Sequence, residues 1–349
     1  MIRVGIVGYG HWGPNYARVL AERLPGAEFV ATADLSARRL AAARAEHPEI
    51  KIYADHLAMV EDRSLDAIII STPTTTHRAL TEDFLNAGVH VMVEKPMFSS
   101  SADARAMGEL AARKGLTLMV GHTFLYNPAV RAIKKYLNEG TLGNVLYMYF
   151  TRTGLGPIRE DVNALWDLAP HDLSMIQYWL AGDPVDLTVQ GQSYLRSGTE
   201  DVAFLNLRYP NGVLASIHVS WLDPIKVRRA TIVGDQRMVV FDDTHPTEKL
   251  RLYDKGASYQ PSRGEFGEFV ASVRDGDILI PKIDGTEPLR AQLLHFLDCI
   301  RTGGVPMTGW QEGEFTIRIL ERAQAQLDSR SKESSAPHTP PGMQAIAIP

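Results

Sequence analysis

Residues 2–13, Ile-Arg-Val-Gly-Ile-Val-Gly-Tyr-Gly-His-Trp-Gly, constrain this chain more than any other stretch. Ile2–Val7 reads as a buried strand, and Gly8-Tyr9-Gly10-His11-Trp12-Gly13 follows at once, opening an amphipathic helix from Pro14 to Leu24. A strand that enters a helix through this spacing is a dinucleotide-binding fingerprint. Gly8 permits the tight turn, Gly10 lets the backbone approach a pyrophosphate, and Gly13 lets the helix pack on the strand. A second strand, Glu28–Ala33, ends in Asp34, placed where an acidic side chain accepts hydrogen bonds from a ribose 2'-hydroxyl. That favours NAD over NADP. Two alternatives stay open: Asp34 caps the helix that starts at Ser36, and Arg38 and Arg39 tolerate a 2'-phosphate.

Strand and helix then alternate. Ile50–Tyr53, a helix from Asp55, Ala67–Ile70, a helix over Thr74–Ala87, Val89–Val93, a helix over Ser99–Lys114 and Leu116–Val120 follow in turn. Right-handed crossovers predict one α/β doubly wound sheet, a Rossmann domain over residues 1–122 that closes at Gly121-His122. Ser71, Thr72 and Pro73 fall at a carboxyl strand end, where small hydroxyls and free backbone groups suit a nicotinamide ribose or phosphate. His77, one turn onward, reads either as a packing histidine or as a cofactor contact. Tyr9, His11, Trp12, Glu94, Lys95 and His122 complete the expected cofactor surroundings.

Val89–Val93 runs into Glu94-Lys95-Pro96. Pro96 disfavours helical geometry at Lys95, so the lysine projects from the carboxyl end of a strand, the edge where open α/β sheets bind ligands. An ammonium there can polarise a substrate oxygen, unless it is a surface lysine before a turn.

From Asn144 the pattern becomes one of short strands, Val145–Phe150, Val185–Val189, Val202–Tyr209, Val213–Trp221, Val227–Val233 and Met238–Phe241, which predicts a large, mostly antiparallel sheet. Together with closing helices over Leu289–Arg301 and Gly313–Leu327, it makes an α+β domain over 123–328 for substrate binding and oligomerisation. Residues 329–349, rich in Ser and Pro, read as a tail. A polar insertion, Gly154–Asp167, leads into Trp166-Asp167-Leu168-Ala169-Pro170-His171-Asp172. Pro170 suits a first helical position, which predicts a helix over Pro170–Leu180 with His171 in its first turn, where the helix dipole disfavours imidazolium. A neutral His171 suits a general base, and Asp167 is expected to hold one ring nitrogen; the alternative is plain capping.

A chain of 349 residues accommodates two domains. Its net charge of −5 gives no reason to expect nucleic acid or an acidic membrane as partner. Cys299 stands alone, which excludes internal disulfides and cysteine-based zinc sites and fits a reducing cytoplasm; no metal is expected. The chain enters a strand directly and no apolar run approaches ~18 residues, so neither a signal peptide nor a membrane span is expected.

Gly8-x-Gly10-x-x-Gly13, Glu94-Lys95-Pro96 and Asp167-x-x-x-His171, in this order before an antiparallel carboxyl domain, resemble the Gfo/Idh/MocA family over about residues 1 to 328. The resemblance implies hydride transfer between a sugar or cyclitol carbon and bound NAD(P), with Lys95 and His171 at the reacting hydroxyl. It also implies a sheet-mediated homodimer or homotetramer, and often a cis bond before Pro96. One departure is Phe124-Leu125-Tyr126-Asn127-Pro128, where many members carry an Arg-Phe pair; Tyr126 or Asn127 would replace that arginine. Within the family, the stretches 121–128, 156–172 and 284–289 resemble nucleotide-sugar 3-dehydrogenases acting on UDP-N-acetylglucosamine or its uronic acid. Arg159, Asp161 and Asn163 would then floor a substrate pocket. Arg159 would pair a carboxylate or diphosphate, or only order its loop by pairing Glu160 or Asp161. The implied activity is oxidation of a 3-hydroxyl to a 3-keto sugar, with a free sugar or inositol as the alternative substrate. A regulator that binds a dinucleotide without turnover would not need both Lys95 and His171.

Overall fold

The computed structural model describes residues 1–22, 24–156, 158–260 and 270–333. In the first half, β1 (Ile2–Val7), α1 (Gly13–Ala21), β2 (Ala27–Ala33), α2 (Ala37–Glu46), β3 (Lys51–Tyr53) and α3 (His56–Glu61) are followed by β4 (Ala67–Ile70), α4 (Thr74–Asn86), β5 (His90–Val93), α5 (Ser101–Lys114) and β6 (Leu118–Val120). Among the described residues these strands pair in parallel in the order β3-β2-β1-β4-β5-β6, with the reversal beside β1 that opens a crevice at the carboxyl ends. Helices cover both faces, so the central strands are apolar throughout: Ile68, Ile69, Ile70, Val91, Met92 and Val93 are fully buried. Gly8 takes φ +93°, and a Cβ on Gly13 would lie 2.2 Å from the Gly8 carbonyl oxygen; the turn needs glycine at both places.

A 3-10 turn over Thr123–Tyr126 leads to α6 (Pro128–Asn138), β7 (Val145–Thr153), α7 (Ala164–Leu180), β8 (Asp186–Gln192), β9 (Val202–Arg208), β10 (Leu214–Ser220), β11 (Val227–Gly234) and β12 (Met238–Asp242). Then come β13 (Leu250–Gln260), β14 (Val270–Leu279), α8 (Pro288–Thr302) and α9 (Trp310–Glu333). The second sheet runs β14-β13-β12-β11-β7-β10-β9-β8; β7 and β10 are parallel and the other pairs antiparallel. α6, α7 and α9 pack on one face. Among the described residues nothing covers the other face: Tyr147 and Tyr149 are each 44% exposed, Phe204 45% and Leu214 54%.

Three expectations need correction. β13 and β14 were not anticipated, because Arg251, Asp254, Lys255, Arg274 and Asp275 break the apolar alternation. α7 starts at Ala164, not at Pro170, since Asn163 accepts the Trp166 N–H at 3.0 Å and caps the helix there. Residues 329–333, read as tail, prolong α9, and the rest of that tail lies outside the described residues. No helix among the described residues is long and apolar enough to cross a membrane.

The closing helices bind the halves together. α8 packs on α1 and the 3-10 turn, while α9 packs on α5, β6, α7 and β8. Just before α9 the chain pairs with the outer edge of β6, the Val120 N–H donating to the Thr308 carbonyl at 2.8 Å. The α5–α9 contact depends on Gly108, where a Cβ would lie 2.2 Å from the Trp310 ring. Gly108→Ala gains about 1 kcal/mol of helix propensity but incurs about 1–3 kcal/mol of overpacking against the Trp310 ring. Thermal unfolding should show a midpoint a few degrees lower; an unchanged or raised midpoint contradicts the packing account.

Candidate active site

The glycine turn and the strand ends form one wall of the site. The N-terminus of α1 has no side-chain cap, so its first N–H groups are available to a phosphate. Asp34 accepts the Tyr9 N–H and the Ser36 N–H, each at 2.7 Å, and Arg39 stands 3.6 Å from it. The cap of α2 is Ser36, not Asp34. Tyr9 turns inward, donating its hydroxyl to Glu46 at 2.7 Å, whereas His11 and Trp12 lie exposed at the lip. Ser71 donates to the Gly8 carbonyl at 2.7 Å, tying the end of β4 to the glycine turn, and Thr72 meets Thr76 at 2.7 Å beside exposed Pro73.

Two expected cofactor contacts face the interior instead. His77 is buried, its ring held between the carbonyls of Pro96 and Met97 at 3.1 Å and of Thr72 at 2.9 Å, so it braces two strand-end turns. Glu94 is also buried. It accepts the Tyr16 hydroxyl at 2.5 Å and the Lys95 N–H at 3.0 Å. Burial raises its pKa, with Tyr16 and Lys95 pulling the other way.

Beyond the cis Lys95-Pro96 bond, the Lys95 ammonium reaches across to α7. It donates to the Asp167 carbonyl at 2.8 Å and to the Asp167 carboxylate at 3.2 Å. The same carboxylate accepts Arg159 at 3.3 Å and the Trp221 indole N–H at 3.2 Å. Burial alone would raise the Asp167 pKa, but the charges of Lys95 and Arg159 and the Trp221 bond hold it below the ordinary carboxylate value. Asp167 therefore anchors Lys95 and makes no hydrogen bond to His171, contrary to expectation.

His171 lies one turn past Asp167 on α7, well inside the helix, so the N-terminal dipole is not what acts on it. Its ring packs 5.0 Å from that of Phe124, and its Nδ1 is buried without a partner among the described residues. Burial first, then the charges of Lys95 and Arg152, hold its pKa well below the ordinary value. His122, just after β6, is buried with both ring nitrogens unpartnered among the described residues, and burial with the Lys95 charge pushes its pKa down to about 3. Unpaired buried imidazoles are rare where no ligand is to be met.

Arg159 is already engaged: its fork grips Asp161 at 2.9 and 2.5 Å besides reaching Asp167. Asn163 is spent on capping α7 and on Glu200 and Gln324, at 2.6 and 2.8 Å. Tyr126 is buried, its hydroxyl 3.1 Å from Thr308 in the segment that pairs with β6. Asn127 caps α6. Neither side chain stands in for an arginine at the site. Phe124, Arg152 and Trp221 were missed. Arg152 shares the inward face of β7 with Met148 and Phe150, and that period-two placement of a charge was the available signal.

Fold and site define a dinucleotide-binding protein whose polar centre lies between a parallel sheet and a mostly antiparallel one. Residues 2–122 match the model of an oxidoreductase family with an NAD-binding Rossmann fold, and residues 130–240 that of the GFO/IDH/MocA C-terminal domain. The chain belongs to the Gfo/Idh/MocA family of oxidoreductases. It is 28% identical to a UDP-N-acetylglucosamine 3-dehydrogenase of Acidithiobacillus ferrooxidans, over 86% of this chain and 88% of that one. It is 27% identical to a D-apiose dehydrogenase of Paraburkholderia graminis, over 95% and 91%. A solved structure of the Acidithiobacillus enzyme superposes with a TM-score of 0.78 at 24% identity, covering 94% of this chain and 98% of that one. The open turn and uncapped α1 amides fit the NAD that this Rossmann domain binds.

The buried neutral histidines make stability depend on pH. A group whose folded pKa lies below its unfolded value stabilises the fold fully above the unfolded pKa, about 6.5 for His, and the contribution is lost as pH falls toward the folded pKa. For His122, with a folded value of about 3, the loss between pH 6.5 and 5 is about 2 kcal/mol. Urea unfolding at pH 7.5 and 5 should therefore give a lower midpoint in acid, and His122→Asn should shrink that difference. An equal acid loss in the variant would show that His122 is not its source.

Proposed function

We propose that the protein is an NAD-dependent dehydrogenase that oxidises a secondary hydroxyl of a sugar, with Lys95 and His171 at the reacting oxygen. The observation that carries this reading is that the Lys95 ammonium of the first half is held on Asp167, one helical turn before buried His171 of the second half, whose pKa burial and the Lys95 charge lower. Bound NAD supplies hydride acceptance from the carbinol carbon. His171, kept neutral near pH 7, takes the hydroxyl proton on its ring nitrogen. Lys95 has three N–H donors, of which Asp167 occupies two, so the third can bind the same substrate oxygen as negative charge grows on it. Asp167 holds the ammonium in place. Gly8, Gly10, Gly13 and the α1 amides would carry the pyrophosphate, and Asp34 the adenosine ribose, with NAD preferred because its carboxylate repels a 2'-phosphate.

The substrate favoured is a UDP-linked N-acetylhexosamine or its uronic acid, oxidised at the 3-hydroxyl. Support comes from the 3-dehydrogenase relative and from the polar 154–167 segment that leads straight into α7. Arg159 would contact a diphosphate by trading Asp161 for it. A second reading, a free sugar, is favoured by the same engagement of Arg159 and by the apiose dehydrogenase relative. The bare sheet face, with Tyr147, Tyr149, Phe204 and Leu214 exposed, supports a homodimer or homotetramer built on that face. Light scattering at micromolar concentration should return an oligomer, and a monomer contradicts this.

Lys95→Met and His171→Asn should each lower turnover by ~100-fold or more while leaving NAD affinity nearly unchanged. A folded His171→Asn variant with normal turnover makes His171 structural. NAD reduction assayed with UDP-N-acetylglucosamine, its uronic acid, apiose and inositols should be fastest with a UDP-sugar. Arg159→Ala should penalise that substrate most. Efficient oxidation of apiose with none of the UDP-sugars turned over selects the second reading.

A further inference from the structure

Beneath the His171 ring lies a buried assembly that the proposed reaction does not touch. Arg152 and Asp172 have side chains only 5% and 3% exposed. The Arg152 Nε donates to both carboxylate oxygens at 3.2 and 3.1 Å, and its Nη2 donates at 2.7 Å. The Cζ of the same guanidinium lies over the Phe124 ring, 4.5 Å from its centroid, and that ring packs on His171. Asp172 follows His171 directly on α7. One arginine thus grips the helix beside the imidazole and carries the aromatic ring against which the imidazole rests.

We infer that Arg152, clamped by Asp172, is a positioning residue for His171: it seats the imidazole through Phe124. The inference rests on the reading of His171 as the proton acceptor. An ion pair gripped by three hydrogen bonds is neutral as a whole, so the electrostatic effect on His171 depends on both partners being present. The other groups that act on the ring are Lys95 at the end of β5, His122 after β6 and Arg228 on β11, and all three disfavour its charged form. Lys95 is balanced by Asp167, and Arg228 by Asp243 at 3.5 Å. A planar guanidinium can bind a carboxylate through its edge and an aromatic ring through its face at once; an ammonium cannot.

The two partners of the pair therefore make opposite predictions. Arg152→Met removes a cation that disfavours imidazolium, so the imidazole should titrate higher than in the wild type. Asp172→Asn leaves an unbalanced cation, so it should titrate lower than in the wild type. The Arg152→Met/Asp172→Asn double variant removes both charges and should return close to wild type. Arg152→Lys keeps the charge and loses the fork and the stacking surface, so it should titrate near the wild-type value while kcat falls about tenfold at unchanged KM.

The measurement is a titration of the full-length protein labelled with 13C-histidine, followed by NMR, with His171→Gln to assign the resonance. The pH profile of kcat/KM for NAD reduction should move in step, activity being lost as pH falls through the His171 pKa. Arg152→Met leaves a buried charge unpaired and is the variant most at risk of not folding; Asp172→Asn, Arg152→Lys and the double variant decide the matter without it. Shifts in one direction for both single variants, no shift in Asp172→Asn, or an unaltered kcat in Arg152→Lys overturn the inference. If His171→Asn keeps its turnover, the base reading fails on its own, and the titration still reports whether Arg152 and Asp172 act on the ring.

Discussion

The contact between Lys95 and Asp167 is the one on which the site depends, because it joins the end of a parallel strand to a helix lying on the other sheet. Both side chains are nearly enclosed, 9% and 16% exposed, so each charge needs the other. Removing one partner of such a pair costs about 3–5 kcal/mol, most of it from the charge left behind. The contact also sets the electrostatic character of the centre. Lys95 discourages protonation of both His171 and His122, and Asp167 stays charged because Lys95, Arg159 and Trp221 all meet it.

That arrangement places demands on residues far from the chemistry. Asp167 can reach Lys95 through both its carboxylate and its main-chain carbonyl only because α7 is under way before Asp167 is reached. Asn163 secures this start, and its amide is fixed by Glu200 near β9 and Gln324 on α9. Three separate parts of the chain therefore converge on one helix cap. The same helix places Asp167 and His171 four residues apart and so on one face, while Asp172 faces Arg152 in the interior.

Local patterns were legible wherever backbone chemistry is decisive. The glycine spacing, the strand ending at Asp34 and the lysine before Pro96 each follow from what one or two residues permit, and the parallel sheet follows from regular alternation. Pro170 misled for a physical reason: proline is preferred in a first helical turn, where its missing N–H costs nothing, yet here it stands inside α7. The Asn163 cap and the apolar pair Ala164-Leu165 were the better guide. Tyr126 and Asn163 looked like ligands because they are polar and close in sequence to the site. Their side chains turned out to hold turns, caps and edges, which only the fold reveals. Arg152 was overlooked for the opposite reason, since its role lies in contacts with Asp172 and Phe124 that no local pattern announces.

The seal on β6 bears on how the chain is made. A strand edge with unsatisfied N–H and C=O groups is a template for wrong pairing. Here the outer edge of β6 is met by Thr308 and Gly309, and Gln292 reaches the Val120 carbonyl from α8 at 3.3 Å. During synthesis the nucleotide-binding half thus emerges with its last strand uncovered, and it stays so while the whole second sheet is translated. The order of the sequence leaves the nascent first sheet open to its neighbours on the ribosome until almost the last helix has been made.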